Sequence, residues 1–483
     1  MQRNTLITLI LAIALVATCG LSFLAVFGSY RAFQATGARV RWFERATVSA
    51  TVTETLRFEV RSPAEIAIDT RSGDIVVEAD PALTDAVVVE QRAVAWADTE
   101  TVARAAAKAL RPRVEASPKT IRIVYDPPDV VDIGSSQGGR DSVSFTVRVP
   151  AQSDVTLVTG DGSIDVAGIT GTSRLDSAFG EIRAADLRGG LTATSQNGAI
   201  VAENVRAQDA DVTLSNAFGD ITARGVAGKA VVLASTNGAL IAEDVTAEGA
   251  ARLGSSFGDI EIDTITAEQL SVETQNGAID AQDGRIEGPV TADSAFGTVT
   301  LLNILGNSYA VHSRNGAVKI EGARGPLDVG SNFGDVTVTD AVDAQLDLKS
   351  DNGAVSFSGT LDPAADHRAE TSFGDIALAI PADSRFDAFL KTAFGTVRSE
   401  LPIAVSGEVR GSEWSGALNG GGRRIELVTQ NGDIEITAWS GAPSEPRAPA
   451  PRATTSAQTS PSPRASLSPQ AQLTASPRST PTP

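Results

Sequence analysis

One short motif returns along most of the chain: Ser or Thr, a variable residue, Phe or Asn, Gly, one more residue, then Ile, Val or Leu. It reads SAFGEI at 177–182, SQNGAI at 195–200, NAFGDI at 216–221, STNGAL at 235–240 and SSFGDI at 255–260, continues to TAFGTV at 392–397, and ends with TQNGDI at 429–434. The motif glycines stand at 162, 180, 198, 219, 238, 258, 277, 297, 316, 334, 353, 374 and 395, a period of 18 to 21 residues. A repeat of that length is too short to bury its own apolar face, so it must stack on its neighbours. This argues for one solenoid rather than several globules.

With the glycine as position zero, residues seven and five before it are apolar, as in Val212/Leu214, Leu270/Val272, Leu327/Val329 and Leu346/Leu348. An aliphatic residue follows two after it and an apolar or small one four after, as in Ile260/Ile262, Val318/Ile320 and Val336/Val338. Spacing by two places each set on one face of a strand. A further apolar residue seven after the glycine (Leu187, Val205, Val226, Val245, Ile265, Ile304) would anchor another side of the coil. The expected class is therefore all-β, a single-chain β-solenoid (parallel β-helix-like) of 18–21-residue coils. Because Asn-Gly also fits a two-residue hairpin turn, a stack of antiparallel hairpins is the competing architecture.

The residue before the glycine alternates. Phe179, Phe218, Phe257, Phe296, Phe333 and Phe373 alternate with Asn197, Asn237, Asn276, Asn315 and Asn352, so the chemical period is two coils, 39 residues from Phe179 to Phe218. Apolar residues at regular spacing are usually core, which predicts Phe filling the corner of the coil while Asn hydrogen-bonds within the turn. The functional alternative is an exposed stripe able to stack on sugar rings or peptide. A second row, Asp220, Asp259, Asp335 and Asp375, follows the Phe-Gly pairs, interrupted by Thr298, and reads as solvated turn residues, and the Ser/Thr row reads as hydrogen-bonded packing.

Composition removes several kinds of chemistry. A formal net charge of -19 opposes the phosphate contacts that nucleic-acid binding needs. The single cysteine, Cys19, permits no internal disulfide, and His312 and His367 are the only histidines. No catalytic cluster, cofactor site or metal set stands out from the repeat.

Residues 5–27 form an uncharged apolar run long enough to cross a bilayer as a helix. It reads as an uncleaved membrane anchor (1–28), followed by a basic juxtamembrane linker (29–45). A cleaved signal peptide would have a shorter apolar region. Val16-Ala17-Thr18-Cys19 resembles a degenerate lipoprotein box, against which Thr18 and the continuing apolar run count. Arg31, Arg39, Arg41 and Arg45 oppose an exterior body by the positive-inside rule, but long domains translocate largely regardless of charge. The expected location is a single-pass bacterial cell membrane protein with an extracytoplasmic solenoid.

Residues 46–154 read as the β-rich start of the solenoid domain, with TRSGDI at 70–75 as a first copy of the motif. A helix is expected over 99–111, capped by Asp98, stopped by Pro112, and covering the open edge of the first coils. The repetitive part spans 155–438, although Trp414-Ser415-Gly416-Ala417-Leu418 stands where one coil should be and Gly420 to Gly422 look like an end cap. Residues 439–483 are rich in Pro, Ser and Thr and lack periodic apolar residues, as a disordered tail does.

The early Gly73-Asp74-Ile75, the strand ending Val147-Arg148-Val149-Pro150, and LNGGGRRIELVTQNGDIEI at 418–436 resemble the bacterial adhesin-candidate β-solenoid family of unknown function, related to head-GIN-type auto-transporter adhesin candidates. That resemblance implies adhesive or envelope-sensing roles and carries no catalytic residues. The function expected is a non-enzymatic, membrane-anchored envelope protein that binds a surface, glycan, wall polymer or envelope partner. A self-assembling bactofilin-like scaffold is the alternative, and a carbohydrate-active β-helix enzyme comes after it.

Overall fold

The computed structural model describes residues 48–126, 141–405 and 412–441. The expected anchor and basic linker, and the expected tail beyond residue 441, lie outside these residues; at the tail's expected start the Trp439 N–H donates to the Ile380 carbonyl at 2.8 Å. The chain divides into residues 1–446 and 447–483, and every described residue belongs to the first unit. Among the described residues no helix is long and apolar enough to cross a membrane.

Each repeat is one coil: a strand before the motif glycine joins a first sheet, and a strand after it joins a second. Val231–Asn237 and Leu240–Ala247 make one coil, and Ala250–Phe257 and Ile260–Ala267 make the next. Pairing between coils is parallel and in register, with Leu233 beside Leu253, Ser235 beside Ser255 and Leu240 beside Ile260. The hairpin stack is thereby excluded, since its neighbours would run antiparallel. Inward-facing Val, Ile, Leu and Ala side chains from both sheets merge into one continuous core. Burying each of the larger ones contributes about 1.5–3 kcal/mol.

A second corner, six residues after the glycine, was not part of the sequence pattern. Asp186, Asn204, Asp244, Asp283, Asn303 and Asp340 occupy it with φ between 53° and 54°, Gly225 with φ 62°, and Thr264 with φ 67°. Asn, Asp and Gly tolerate this left-handed conformation best. The turn then aims the next aliphatic residue, such as Val245 or Ile265, back into the core.

Both ends of the stack are interleaved. The coil of Ala64–Ser72 and Ile75–Ala79 lies between that of Ser153–Asp161 and Ile164–Ala167 and an outer one made by Thr120–Tyr125 and Ser142–Val149. Antiparallel strands Arg113–Ala116 and Ala86–Ala97 cover that outer coil, and Val48–Glu59 pairs with Ala86–Ala97. The helix is Glu100–Ala109, capped by the Thr99 hydroxyl, which accepts from the Val102 N–H at 3.4 Å. It rests on the antiparallel pair Val48–Glu59 and Ala86–Ala97 through Ala103, against Ala50 and Ala97. The expectation that it covers the open edge, with Asp98 as cap, is corrected: strands Arg113–Ala116 and Ala86–Ala97 already pair with the outer coil, so the helix packs on the covering strands instead.

At the other end the chain skips a place. His367–Phe373 pairs with Arg423–Asn431, which in turn pairs with the earlier strand Phe386–Phe394. Glu413–Leu418 runs antiparallel on Phe386–Phe394, with Ile403–Val405 beyond it. The Trp414 segment thus seals an edge rather than replacing a coil. Gly420 and Gly421, with φ of 96° and 84°, turn the chain back towards the vacant position rather than capping it.

His367 lies in this region, 2% exposed, its ring edge against Phe386. Its Nδ1 accepts from the Leu346 N–H at 3.3 Å and its Nε2 donates to the Asp362 carbonyl at 3.0 Å, which defines the neutral tautomer. Burial is the largest influence on this imidazole and pushes it below its ordinary value of 6.5. Below that value the unfolded chain binds a proton that the folded one refuses, so this contribution is complete above pH 6.5 and is lost as the pH falls through it. The expected result, by urea denaturation across pH 5 to 8, is a shallower acid-side loss of stability in His367→Leu than in the parent. Equal slopes would remove His367 as the cause.

Candidate functional site

The corner that carries the motif glycine is the most regular surface of the molecule. The rings of Phe179, Phe218, Phe257, Phe296, Phe333 and Phe373 are 55–60% exposed, and that of Phe394, which the sequence analysis left out of the stripe, is 76% exposed. The expectation that Phe fills the core is therefore overturned. The reason is local: Leu253 and Ser255 point inward by strand alternation, but the chain bends at Ser256 to Gly258 to enter the second sheet, so Phe257 swings outward. A signal was present. In-register coils place Phe and Asn at one position, and a dry core position would not accept an amide in every second coil.

Asn237 stands beside Phe218 and Phe257, and Asn276 beside Phe257 and Phe296. Successive Phe rings are therefore about 9.6 Å apart, two strand spacings. Each Asn Nδ2 donates to the carbonyl preceding the Phe of the coil before: Asn197 to Ala178 (3.4 Å), Asn237 to Ala217 (3.3 Å), Asn276 to Ser256 (3.5 Å), Asn315 to Ala295 (3.1 Å) and Asn352 to Asn332 (3.3 Å). These bonds run between coils rather than within a turn.

The interleaved end completes the pattern. In sequence Phe373 and Phe394 are consecutive motif aromatics with no Asn between them, whereas in space Asn431 lies beside both. The departure from alternation is thus a consequence of strand order.

Beneath the rings the glycines stack. A Cβ added at Gly198, Gly258, Gly277 or Gly316 would strike the carbonyl oxygen of the motif glycine one coil earlier. That carbonyl is satisfied by the Ser/Thr row: Ser255 Oγ donates to Gly238 at 3.0 Å, Thr274 to Gly258 at 3.1 Å and Ser294 to Gly277 at 2.9 Å. The row is packing, as expected.

The Asp row does more than face water. Asp220, Asp259 and Asp335 each accept a hydrogen bond at 2.8 Å from the backbone N–H of Ala239, Ala278 and Ala354 in the next coil, and Asp375 accepts one from Asp433. The Asp433 carboxyl is held below its ordinary value by the Thr396 N–H that donates to it at 2.7 Å. From Phe179 to Phe373 the rows alternate, Phe with an acidic neighbour in one coil and Asn with Ala in the next, except that Thr298 follows Phe296; in the last coils Thr396 follows Phe394 and Asp433 follows Asn431.

Beside Phe296 the outer face of the first sheet holds a groove of about 680 Å³, lined among others by Glu273, Asp293, His312, Asp328 and Asp347. Gly330 makes room for the His312 ring, whose Nε2 is 3.2 Å from Asp328 and whose Nδ1 is 3.7 Å from Asp293. Burial raises the Asp293 carboxyl, against the lowering effect of His312. Among the described residues no group of three or more His, Cys, Asp and Glu side chains is placed to hold a metal ion.

No curated protein is detectably similar to the chain. Among solved structures, an adhesin candidate from Bacteroides fragilis matches with 15% identity and a TM-score of 0.28, over 52% of this chain and 96% of its own. A candidate cell-adhesion protein from Clostridium sporogenes matches with 7% identity and a TM-score of 0.17, over 80% of this chain and 100% of its own. The model of one family, Toastrack DUF4097, matches residues 64–304 and 290–437, which together take in nearly the whole coil stack. On that match, the chain belongs to the Toastrack DUF4097 family.

Proposed function

We propose that this protein is a non-catalytic adhesive module that binds its target through the aromatic corner, held at the outer side of a bacterial cell membrane by its N-terminal segment. The observation that carries the reading is the row of seven Phe rings, each more than half exposed. Leaving such a ring in water forgoes about 1.5–3 kcal/mol of burial, and contiguous exposed apolar surface marks interaction sites. The rigid stack fixes the spacing of the rings, so little ordering is required on binding.

The acidic residues beside the rings disfavour nucleic acid as a target. Filament formation has less support, because strands outside the coil pattern cover the last coil of the first sheet at both ends and of the second sheet at the N-terminal end. Catalysis has less still: in the His312 groove beside the rings the imidazole lies against Asp328 and Asp293 rather than against a nucleophile.

The test is attachment of the full-length protein, in detergent, to isolated envelopes and intact cells. Phe257→Ser/Phe296→Ser/Phe333→Ser is expected to lose attachment while its unfolding midpoint stays within error of the parent. Undiminished attachment by that variant would sink the reading.

A further inference from the structure

We infer that the ligand of the aromatic corner is an uncharged, extended polysaccharide chain that lies along the coil axis, an inference that rests on the adhesive reading above. Spacing is the first argument. The rings recur about every 9.6 Å along the axis. An extended peptide strand presents the same face every second residue, about 6.8 Å, and falls out of step with the rings within one repeat. A β-1,4-linked hexose chain turns each sugar over relative to the last, so an equivalent apolar sugar face recurs every second residue, at nearly the ring spacing. One disaccharide then meets one ring.

Hydrogen bonding is the second argument. Asp220, Asp259 and Asp335 each spend one oxygen on a backbone N–H of the next coil, which fixes the carboxylate and leaves the second oxygen to accept from outside. Gln275, beside Asn276 on the intervening coil, adds an exposed amide. Carboxylates seek donors, and sugar hydroxyls supply them around the whole ring edge. A proline-rich segment in the polyproline conformation repeats at about 9.3 Å, three residues of about 3.1 Å, close to the ring spacing, but has no N–H at its prolines and would leave the carboxylates unpaired.

Charge is the third. An acidic residue follows the ring in five of the seven Phe coils, Glu181, Asp220, Asp259, Asp335 and Asp375, so a polyanion is repelled along most of the row. A second copy of this chain is repelled equally, because each copy carries a net charge of -19 and would bring like rows together.

The probes are cello- and chito-oligosaccharides of two to eight sugars, a polyproline peptide and a polyuronate, titrated against the full-length protein in detergent. Affinity for one neutral series is expected to rise with each added disaccharide as another ring is engaged. Phe257→Ala and Phe296→Ala are each expected to weaken the longest oligomer about tenfold, with unchanged unfolding midpoints. Preference for polyproline or polyuronate, or no binding of neutral oligomers while the Phe variants still abolish envelope attachment, overturns the ligand class and leaves the adhesive reading standing. If the variants alter neither oligosaccharide binding nor attachment, both fail.

Discussion

Gly277→Ala is expected to cost about 3 kcal/mol or more, because its new Cβ would strike the backbone carbonyl of Gly258, which has no flexible end to move aside. The backbone of Gly277 lies outside the left-handed region, so the cost is steric rather than conformational. Gly254→Ala is the paired control: the nearest atom to its added Cβ is the Glu273 carbonyl oxygen at 4.0 Å, and its effect is expected to stay within about 0.5 kcal/mol. Urea denaturation gives the ranking, and hydrogen exchange reports where protection is lost, which should centre on the coils that carry Gly258 and Gly277. Equal stability of the two variants would show that the glycine column is not in van der Waals contact.

The second expectation sets two phenylalanines against each other. Phe145 is 1% exposed and pairs with Ile75 on one side and Gln91 on the other, where the outer N-terminal coil meets its covering strand. Phe145→Ala should cost about 3–5 kcal/mol through lost burial and the cavity left behind. Phe257→Ala removes the same atoms from a ring 55% exposed and should change stability by less than about 0.5 kcal/mol. A large loss in Phe257→Ala would mean that the corner rings serve folding rather than binding. The same variant then supplies the binding assay with a folded protein.

Much of this architecture was legible before any coordinates, and the residues show why. Leu253, Ser255, Ile260 and Ile262 alternate with period two on both sides of Gly258, which suffices for two strands per coil and for the side each residue faces. For Phe257 the period-two rule predicts burial because it assumes a straight strand, and the rule fails where the backbone turns. The Asp row was read as solvent-facing because a contact between Asp259 and Ala278 belongs to the register between coils, a relation 19 residues long that no local window contains. The second corner has a local signature, Asn, Asp or Gly six residues after most motif glycines, with Thr264 as an exception. Strand order at the ends was encoded only indirectly. Two consecutive Phe coils, at Phe373 and Phe394, break an otherwise regular alternation, and the missing Asn is Asn431. That the rings face water was the one property of the site that decided its reading, and it depended on the bend rather than on composition.

The doubling back of the chain at both ends has a consequence for how such a protein can change length over generations. Neither terminus offers a free coil to copy outward, since the outermost coil at each end is followed or preceded by a strand threaded beside an inner one. Among the described residues the uninterrupted run of coils lies between Ser153 and Ile380, where a duplicated coil would stack without disturbing the interleaved ends. A single duplicated coil would bring two Phe or two Asn together, whereas a block of 39 residues, the distance from Phe179 to Phe218, preserves the alternation. Selection on the spacing of the rings would therefore leave relatives that differ by whole pairs of coils.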